Sequence, residues 1–262
     1  MKRSFTAIAL GFTAWLAPLA AQSHQVWFER GPGGVVARYG ELDANMHEVS
    51  PGGLDRFVQL QASRISARGE QPIALLKQRD RFELPKGTRL APGDSLVAVD
   101  KQYPMFDTQR DGKALRTWWT PATRWIGDFS ARKPVLTLDI VPTGVKQDGK
   151  QQFQVVYLGE PLAGQKVKIA TPAGWVRTVT SDVEGKFAVS LPWRGTYAIG
   201  LYFVDDAAGE RNIDGKVEAY QLEGYNTSLS FTLDKGLAPL PVTEETLPAS
   251  VRAERGLPPV KH

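Results

Sequence analysis

The sequence has 262 residues, of which 42% are hydrophobic and 23% are charged, an ordinary globular composition that excludes a collagen-like or wholly disordered chain. Its 32 basic and 28 acidic residues give a formal charge of +4 and are interspersed, so the chain lacks the basic cluster of a nucleic-acid-binding surface. Cysteine is absent, which excludes disulfides, thiolate metal sites and cysteine nucleophiles.

The first 23 residues have the pattern of a secretory signal peptide. Lys2 and Arg3 precede an apolar run at residues 5–21, and small residues at 21 and 23 fit a signal-peptidase site. Pro18 interrupts the run, which argues against a membrane-spanning helix. We therefore expect an exported, periplasmic protein that does not span the membrane after cleavage. Cleavage after Ser23 would make His24 the first residue, and cleavage two residues earlier is the alternative.

The rest of the chain is predicted to be mostly β, with two packed antiparallel β-sandwich-like domains. Apolar residues alternate with polar ones in short segments separated by turn signals, which is typical of such sandwiches. The segments predicted as strands are 26–28, 57–62, 96–99, 135–140, 153–157, 167–169, 175–180, 187–191, 197–203 and 225–233.

Four regions follow from these patterns: a signal peptide at 1–23, an N-terminal β domain at 24–141, a C-terminal sandwich at 142–235 and a Pro-rich tail at 236–262. Within the first domain, residues 100–129 contain several prolines, glycines and charges, and we expect a long irregular loop there. The tail is expected to be a solvated extension.

The second half carries a motif made of residues 160–167 (EPLAGQKV), 180–187 (TSDVEGKF) and 195–197 (GTY). This motif resembles the prealbumin-like sandwich of carboxypeptidase regulatory-like domains. Gly185 permits a left-handed turn conformation, and Asp182 can cap that turn through its side chain. The resemblance implies a fold and no function, because such modules occur in many contexts.

A second resemblance extends over nearly the whole chain after the signal. The matching stretches are 24–29 (HQVWFE), 39–41 (YGE), 48–55 (EVSPGGLD), 116–122 (RTWWTPA), 192–197 (PWRGTY), 209–211 (GER) and 227–229 (TSL). Together they resemble an exported bacterial family of unknown function that is grouped with periplasmic components of nickel and cobalt uptake. The resemblance implies an accessory protein of metal uptake. In that family the strand after Tyr197 often ends in histidines, whereas here it continues as 201–206 (LYFVDD), so a site using those histidines would be lost or altered.

His24 is the main candidate metal ligand. If it is the first residue after cleavage, its amino group and imidazole can chelate one ion, and the imidazole of His47 would complete a set suited to copper or nickel. Glu29, Glu48 and Met46 offer further donors, and we select His24, His47 and Glu29 as the metal site. The alternative is that both histidines are ordinary surface residues.

These observations favour a periplasmic, non-enzymatic binding protein for nickel, cobalt or copper that hands the ion to a membrane transporter or outer-membrane receptor. The alternative is a glycan-binding or adhesive module whose ligand surface is formed by Trp118, Trp119 and Trp125, although large aromatics are more often buried. A copper-dependent oxidase using the same His24 chelate is a third, weaker alternative. No pair of acidic residues stands out as catalytic.

Overall fold

The structure is a computed structural model that describes residues 24–31, 33–213 and 215–259. The predicted signal peptide at 1–23 and His262 lie outside these residues. The strands are β1 (Gln25–Gly31), β2 (Gly34–Glu41), β3 (Met46–His47), β4 (Gln61–Ser66), β5 (Gly69–Ile73), β6 (Leu76–Lys77), β7 (Phe82–Glu83), β8 (Ser95–Val99), β9 (Phe106–Arg110), β10 (Lys113–Ile126), β11 (Leu138–Gln147), β12 (Lys150–Tyr157), β13 (Glu160–Pro161), β14 (Lys166–Ala170), β15 (Val176–Thr180), β16 (Lys186–Ser190), β17 (Gly195–Asp205), β18 (Gly209–Ile213), β19 (Lys216–Tyr220) and β20 (Leu222–Leu233).

Helical structure is confined to short segments in the described part of the chain. Two 3-10 helices span Leu42–Ala44 and Gly53–Arg56, and one α-helix, α1, spans Ala249–Glu254. None of the helices in this part has the length and apolar character needed to cross a bilayer.

The strands form three sheets and a separate hairpin. The N-terminal sheet has the order β1-β2-β7-β6, with β3 also paired to β2. The central sheet has the order β15-β14-β17-β20-β10-β8-β4-β5, with β9 paired to β10. The C-terminal sheet has the order β11-β12-β13, with β16 paired to β12, and β18 pairs with β19. The predicted mostly β, sandwich-like fold is confirmed.

The two smaller sheets pack on opposite faces of the central sheet at β20. Ser228 Oγ donates a hydrogen bond to the Val26 carbonyl at 2.6 Å, and the Phe28 amide donates one to Ser230 Oγ at 3.1 Å. Leu229, between these serines, belongs to the apolar core shared with the C-terminal sheet. Because successive residues of a strand point to opposite faces, β20 separates two layers of packing.

Each layer has its own apolar core. The core between the central and C-terminal sheets includes Phe153, Val155, Val167, Ile169, Tyr197, Ile199, Leu229 and Phe231. The core between the central and N-terminal sheets includes Val26, Phe28, Tyr39, Phe57, Phe82, Leu96, Trp119 and Trp125. The alternating apolar residues of the sequence therefore supply both cores.

One continuous sheet joins the two predicted domains. β10 belongs to the region 24–141 and β20 to the region 142–235, and they pair in parallel from Thr117↔Leu222 to Trp125↔Ser230. The halves of the chain therefore share their central sheet instead of forming separate sandwiches.

The prediction of a long irregular loop at 100–129 is wrong, because β9 and β10 occupy most of it. Asp111 and Gly112 both have positive φ angles, 52° and 74°, and form the turn between these strands. Pro121 lies between the segment of β10 paired with β9, which ends at Thr117, and the segment paired with β8, which begins at Ala122. The missing N–H of Pro121 therefore interrupts neither the ladder between β10 and β9 nor the ladder between β10 and β8.

The tail contacts the body of the protein at several points, although most of its described residues are exposed. Leu237 forms a parallel bridge with Trp193. The Asn45 side-chain amide donates a hydrogen bond to the Thr243 carbonyl at 2.8 Å, and Val251 of α1 is buried. The described part of the tail is therefore attached to the body at these points and solvated along much of the remainder.

Candidate functional site around His24

Three chain segments meet at the start of β1. His24 immediately precedes β1, Glu41 is the last residue of β2, and Glu48 follows β3. The close approach of β3 to β2 depends on Gly40, which has a φ angle of 142° and lies where a Cβ atom would be 2.3 Å from the Met46 carbonyl oxygen. Only glycine fits this position, so Gly40 permits the packing that brings the two glutamates to His24.

The imidazole of His24 lies between two carboxylates. Its Nε2 atom is 2.9 Å from Glu48 Oε1, and its Nδ1 atom is 3.3 Å from Glu41 Oε1. The side chain is 18% exposed, and the ring packs against Tyr39 with 5.5 Å between centroids. An imidazole that faces a carboxylate at each nitrogen is best satisfied when both nitrogens carry protons.

The electrostatic environment therefore favours charged His24. Burial lowers the pKa of His24, but the hydrogen bonds and negative charges of Glu41 and Glu48 outweigh that effect and raise it from 6.5 to about 9. His24 is protonated at neutral pH in this state, so any cation that uses the imidazole must displace a proton.

The position of Glu48 is fixed by the turn that follows it. A Cβ atom on Gly53 would lie 2.4 Å from Glu48 Oε2, so the glycine provides the space that the carboxylate occupies. The same turn is held by Asp55, which accepts hydrogen bonds from the Ser50 hydroxyl at 2.7 Å and the Gly52 amide at 2.9 Å. The Glu48 carboxylate is therefore positioned by the turn that follows it as well as by its contact with His24.

A buried polar pair lies behind the imidazole. The hydroxyls of Tyr39 and Tyr103 are 3.0 Å apart. Burial raises the pKa of both phenols above its usual value. Both tyrosines are therefore neutral at neutral pH, and Tyr39, which contacts the His24 ring, is itself packed against Tyr103.

The other two predicted ligands lie away from His24. Because residues alternate along β1, Trp27 and Glu29 point to the face opposite to that of His24. The His47 ring packs against Trp27 with 5.7 Å between centroids. Glu29 accepts hydrogen bonds from Trp27 Nε1 at 3.0 Å and Arg38 Nε at 2.9 Å.

His47 also differs electrostatically from His24. Burial and the nearby charge of Arg38 lower the pKa of His47, so the two histidines have opposite protonation tendencies. The structure brings His24 together with Glu41 and Glu48 and does not bring it together with His47 or Glu29.

Glu41 was not among the ligand candidates from the sequence, although a signal for it exists. The sequence at 31–34 is rich in glycine and proline, and β1 and β2 pair antiparallel from Gly31↔Gly34 to Gln25↔Gly40. Continuing that register by one residue places Glu41 opposite His24. Recognition of the hairpin would therefore have identified this partner.

The imidazole and carboxylate groups around His24 are suitable ligands for a transition metal. In this structure, however, the two carboxylates are arranged to accept hydrogen bonds from the protonated imidazole. Within residues 24–259 as far as they are described, no group of three or more His, Asp or Glu side chains is arranged to hold a metal ion. The reason at His24 is that Glu41 and Glu48 contact opposite ring nitrogens. An ion at either nitrogen would have one of these carboxylates beside it.

The tryptophans selected for the glycan-binding alternative do not form a common exposed face. Trp119 and Trp125 are 3% and 5% exposed and belong to the core under the N-terminal sheet. Trp118 is half-buried, and the guanidinium of Arg211 lies 5.5 Å from its ring centroid. A stacking surface made of these three side chains therefore has no structural support.

Comparison of the chain with models of known protein families and with curated proteins found no match. The two family resemblances noted in the sequence therefore stay predictions.

Proposed function

We propose that this protein is an exported, non-enzymatic binding protein that takes up a divalent transition metal ion at His24 and delivers it to a membrane transporter or outer-membrane receptor. Nickel, cobalt and copper are the candidate ions. The observation that carries the proposal is the meeting of one largely buried imidazole with the carboxylates of Glu41 and Glu48.

The chemistry of the cluster supports exchange of a proton for a metal ion. A neutral imidazole nitrogen and a carboxylate oxygen are suitable donors for these ions. One glutamate would act as a ligand at the ring nitrogen it now contacts. The other glutamate would keep the opposite N–H and fix the tautomer, as carboxylates do for metal-bound histidines in general. If the chain is cleaved after Ser23, the amino group of His24 adds a further donor.

Reversible binding follows from the same exchange. Because His24 must lose its proton, affinity for the ion is expected to rise with pH toward the pKa of about 9 and to fall on acidification. A site with few protein ligands also leaves positions open to ligands from a receiving protein. Both properties suit a carrier that releases its ion.

The test is metal titration of the full chain, expressed with its export signal and purified without chelators. Native mass spectrometry reports the first residue and the number of bound ions, and isothermal titration calorimetry at pH 7.5 reports affinity for Ni²⁺, Co²⁺ and Cu²⁺. We expect one ion per chain, loss of binding in H24Q and a weakening of about 10- to 100-fold in E48Q.

H47Q is the matched control, because it removes the histidine on the opposite face of β1. Its affinity should equal that of the wild type. Circular dichroism of H24Q checks that the variant is folded. The proposal would be overturned if none of the three ions binds, or if H24Q and H47Q lose affinity to the same extent.

A further inference from the structure

A cleft of about 210 Å³ opens between the turn after β14, the start of β17 and the tail. Its walls include Thr171, Trp193, Arg194, Pro239, Leu240 and Val242. The cleft is smaller than the ~300–1,000 Å³ of pockets for drug-sized ligands, so it suits a small molecule.

The walls of the cleft are held in place by hydrogen bonds before any ligand is present. The Tyr197 hydroxyl accepts a hydrogen bond from the Trp193 amide at 2.9 Å and donates one to the Trp193 carbonyl at 3.0 Å. The Arg194 amide donates to the Leu237 carbonyl at 3.0 Å, which ties the tail to this wall. A cleft built from fixed walls loses little entropy when a ligand enters.

The Trp193 ring is also fixed by aromatic packing. It contacts Trp175 edge to face with 5.0 Å between centroids, and Trp175 contacts Tyr197 at 6.3 Å. Trp193 is half-buried and contributes to the lining of the cleft. It therefore provides an ordered aromatic surface beside the apolar residues of the tail.

One charged side chain in the lining of the cleft is exposed and has no ionic partner in the described part of the chain. Arg194 makes no ion pair with any described carboxylate. The guanidinium of Arg194 is therefore available to pair with an anionic ligand.

We propose that this cleft binds a small organic monocarboxylate with an apolar or aromatic body. The guanidinium of Arg194 pairs with the carboxylate of the ligand. Trp193 and the apolar residues of the tail enclose the body of the ligand. This binding activity is independent of the metal site at His24.

The combination of one positive charge and apolar residues in the cleft lining favours a ligand with a single carboxylate over other anions. Arg194 is the one charged side chain in the lining of this cleft, and the remaining residues are apolar, glycine or threonine. A phosphate carries more charge and more acceptor oxygens than this lining can satisfy. A planar carboxylate matches the paired N–H groups of a guanidinium, and the apolar remainder of the ligand matches the rest of the wall.

Phenylacetate is the probe that we would use first, with hexanoate as an aliphatic probe of similar size. Binding is followed by isothermal titration calorimetry and by tryptophan fluorescence, with EDTA present and in the H24Q background so that the metal site does not contribute. We expect a dissociation constant of about 1 mM or tighter for at least one probe. The neutral analogue phenylacetamide should bind at least about tenfold more weakly than phenylacetate.

Two variants separate recognition from folding. R194Q should weaken binding of the carboxylate about tenfold and leave the affinity for phenylacetamide unchanged. R177Q is its control, because Arg177 is an exposed arginine of β15 outside the cleft lining and its loss changes the net charge equally.

A lack of binding by both carboxylates overturns the proposal. Equal binding of phenylacetate and phenylacetamide, or equal effects of R194Q and R177Q, would also overturn it, because Arg194 would then not recognise the charge. These outcomes do not depend on whether His24 binds a metal ion, so the two proposals can fail separately.

Discussion

The Nε2 atom of His24 lies 2.9 Å from Oε1 of Glu48, and this contact ties the residue before β1 to the segment after β3. Glu41 faces the other ring nitrogen at 3.3 Å. The protonated imidazole therefore holds three chain segments together through its contacts with the two carboxylates. It links the stability of the metal-free protein to pH.

We expect the metal-free protein to lose stability between pH 6.5 and 9.5. The pKa of His24 is raised from 6.5 to about 9 in the folded state, so its contribution is fully present below 6.5 and is lost as pH rises through 9. The loss should be at most about 3 kcal/mol. Urea unfolding in EDTA, followed by tryptophan fluorescence at several pH values, measures it.

H24Q is the control for this pH dependence. It should be less stable than the wild type at pH 6.5 and should change less between pH 6.5 and 9.5. The attribution to His24 fails if the two proteins have the same pH profile.

Gly53 offers a second way to disturb the same contact without changing a charged residue. A Cβ atom there would lie 2.4 Å from the Glu48 carboxylate, and Gly53 is not in the left-handed region of φ. G53A should therefore displace Glu48 and lower the pKa of His24 from about 9 toward 6.5. NMR titration of the His24 ring, assigned by comparison with H24Q, measures the change.

G93A is matched to G53A, because a Cβ on Gly93 would meet no atom within 4 Å and its φ is also not positive. The pKa of His24 should be the same in G93A as in the wild type. An unchanged pKa in G53A would mean that Glu48 keeps its contact after the substitution.

The sequence identified the central residue of the candidate site but not its partners. His24 stands out by residue type and by its position after the predicted signal peptide. Whether His47 shares a face with it depends on register, and a change of one residue reverses the face. The observed pairing places His47 beside Trp27 and leaves Glu41 opposite His24. Spacing along the chain does not reveal such a relationship until the hairpin is recognised.

The fold was predictable where it depends on local alternation. The segments 153–157, 167–169 and 225–233 were expected as strands and lie in β12, β14 and β20. The parallel pairing of β10 with β20 joins residues about 100 positions apart and leaves no local pattern. The prolines and glycines in 100–129 predict a loop by residue type alone. Whether a proline interrupts a strand depends on whether its position needs an N–H hydrogen bond to a neighbouring strand, which the local sequence does not show.

Hydrogen exchange would distinguish a strand from a loop in this segment. Residues 122–126 of β10 are paired with β8 on one side and, through residue 125, with β20 on the other. Their amides should exchange about 100-fold or more slowly compared with residues 84–94, which form no strand. Mass spectrometry of peptides from both segments measures the rates. Equal exchange in the two segments would mean that 100–129 is irregular in solution.

A buried ion pair links the end of β10 to the start of β11. Arg124 and Asp139 are both 0% exposed, with Arg124 Nε 3.0 Å from Asp139 Oδ1 and Nη2 2.5 Å from Oδ2. The Val135 amide also donates to Asp139 at 2.9 Å. The carboxylate therefore neutralises a buried guanidinium and orders the approach to β11.

Removing the negative charge from this pair should be costly, because the guanidinium of Arg124 would stay buried without a counter-charge. We expect D139N to lower the free energy of unfolding by about 3–5 kcal/mol. D206N, which breaks the exposed pair with Arg110, should cost less than about 1 kcal/mol. The double variant R124M/D139N should be no less stable than D139N, since it removes the stranded charge. Urea unfolding of the three variants checks this order, and a D139N cost no larger than that of D206N would contradict the role assigned to burial.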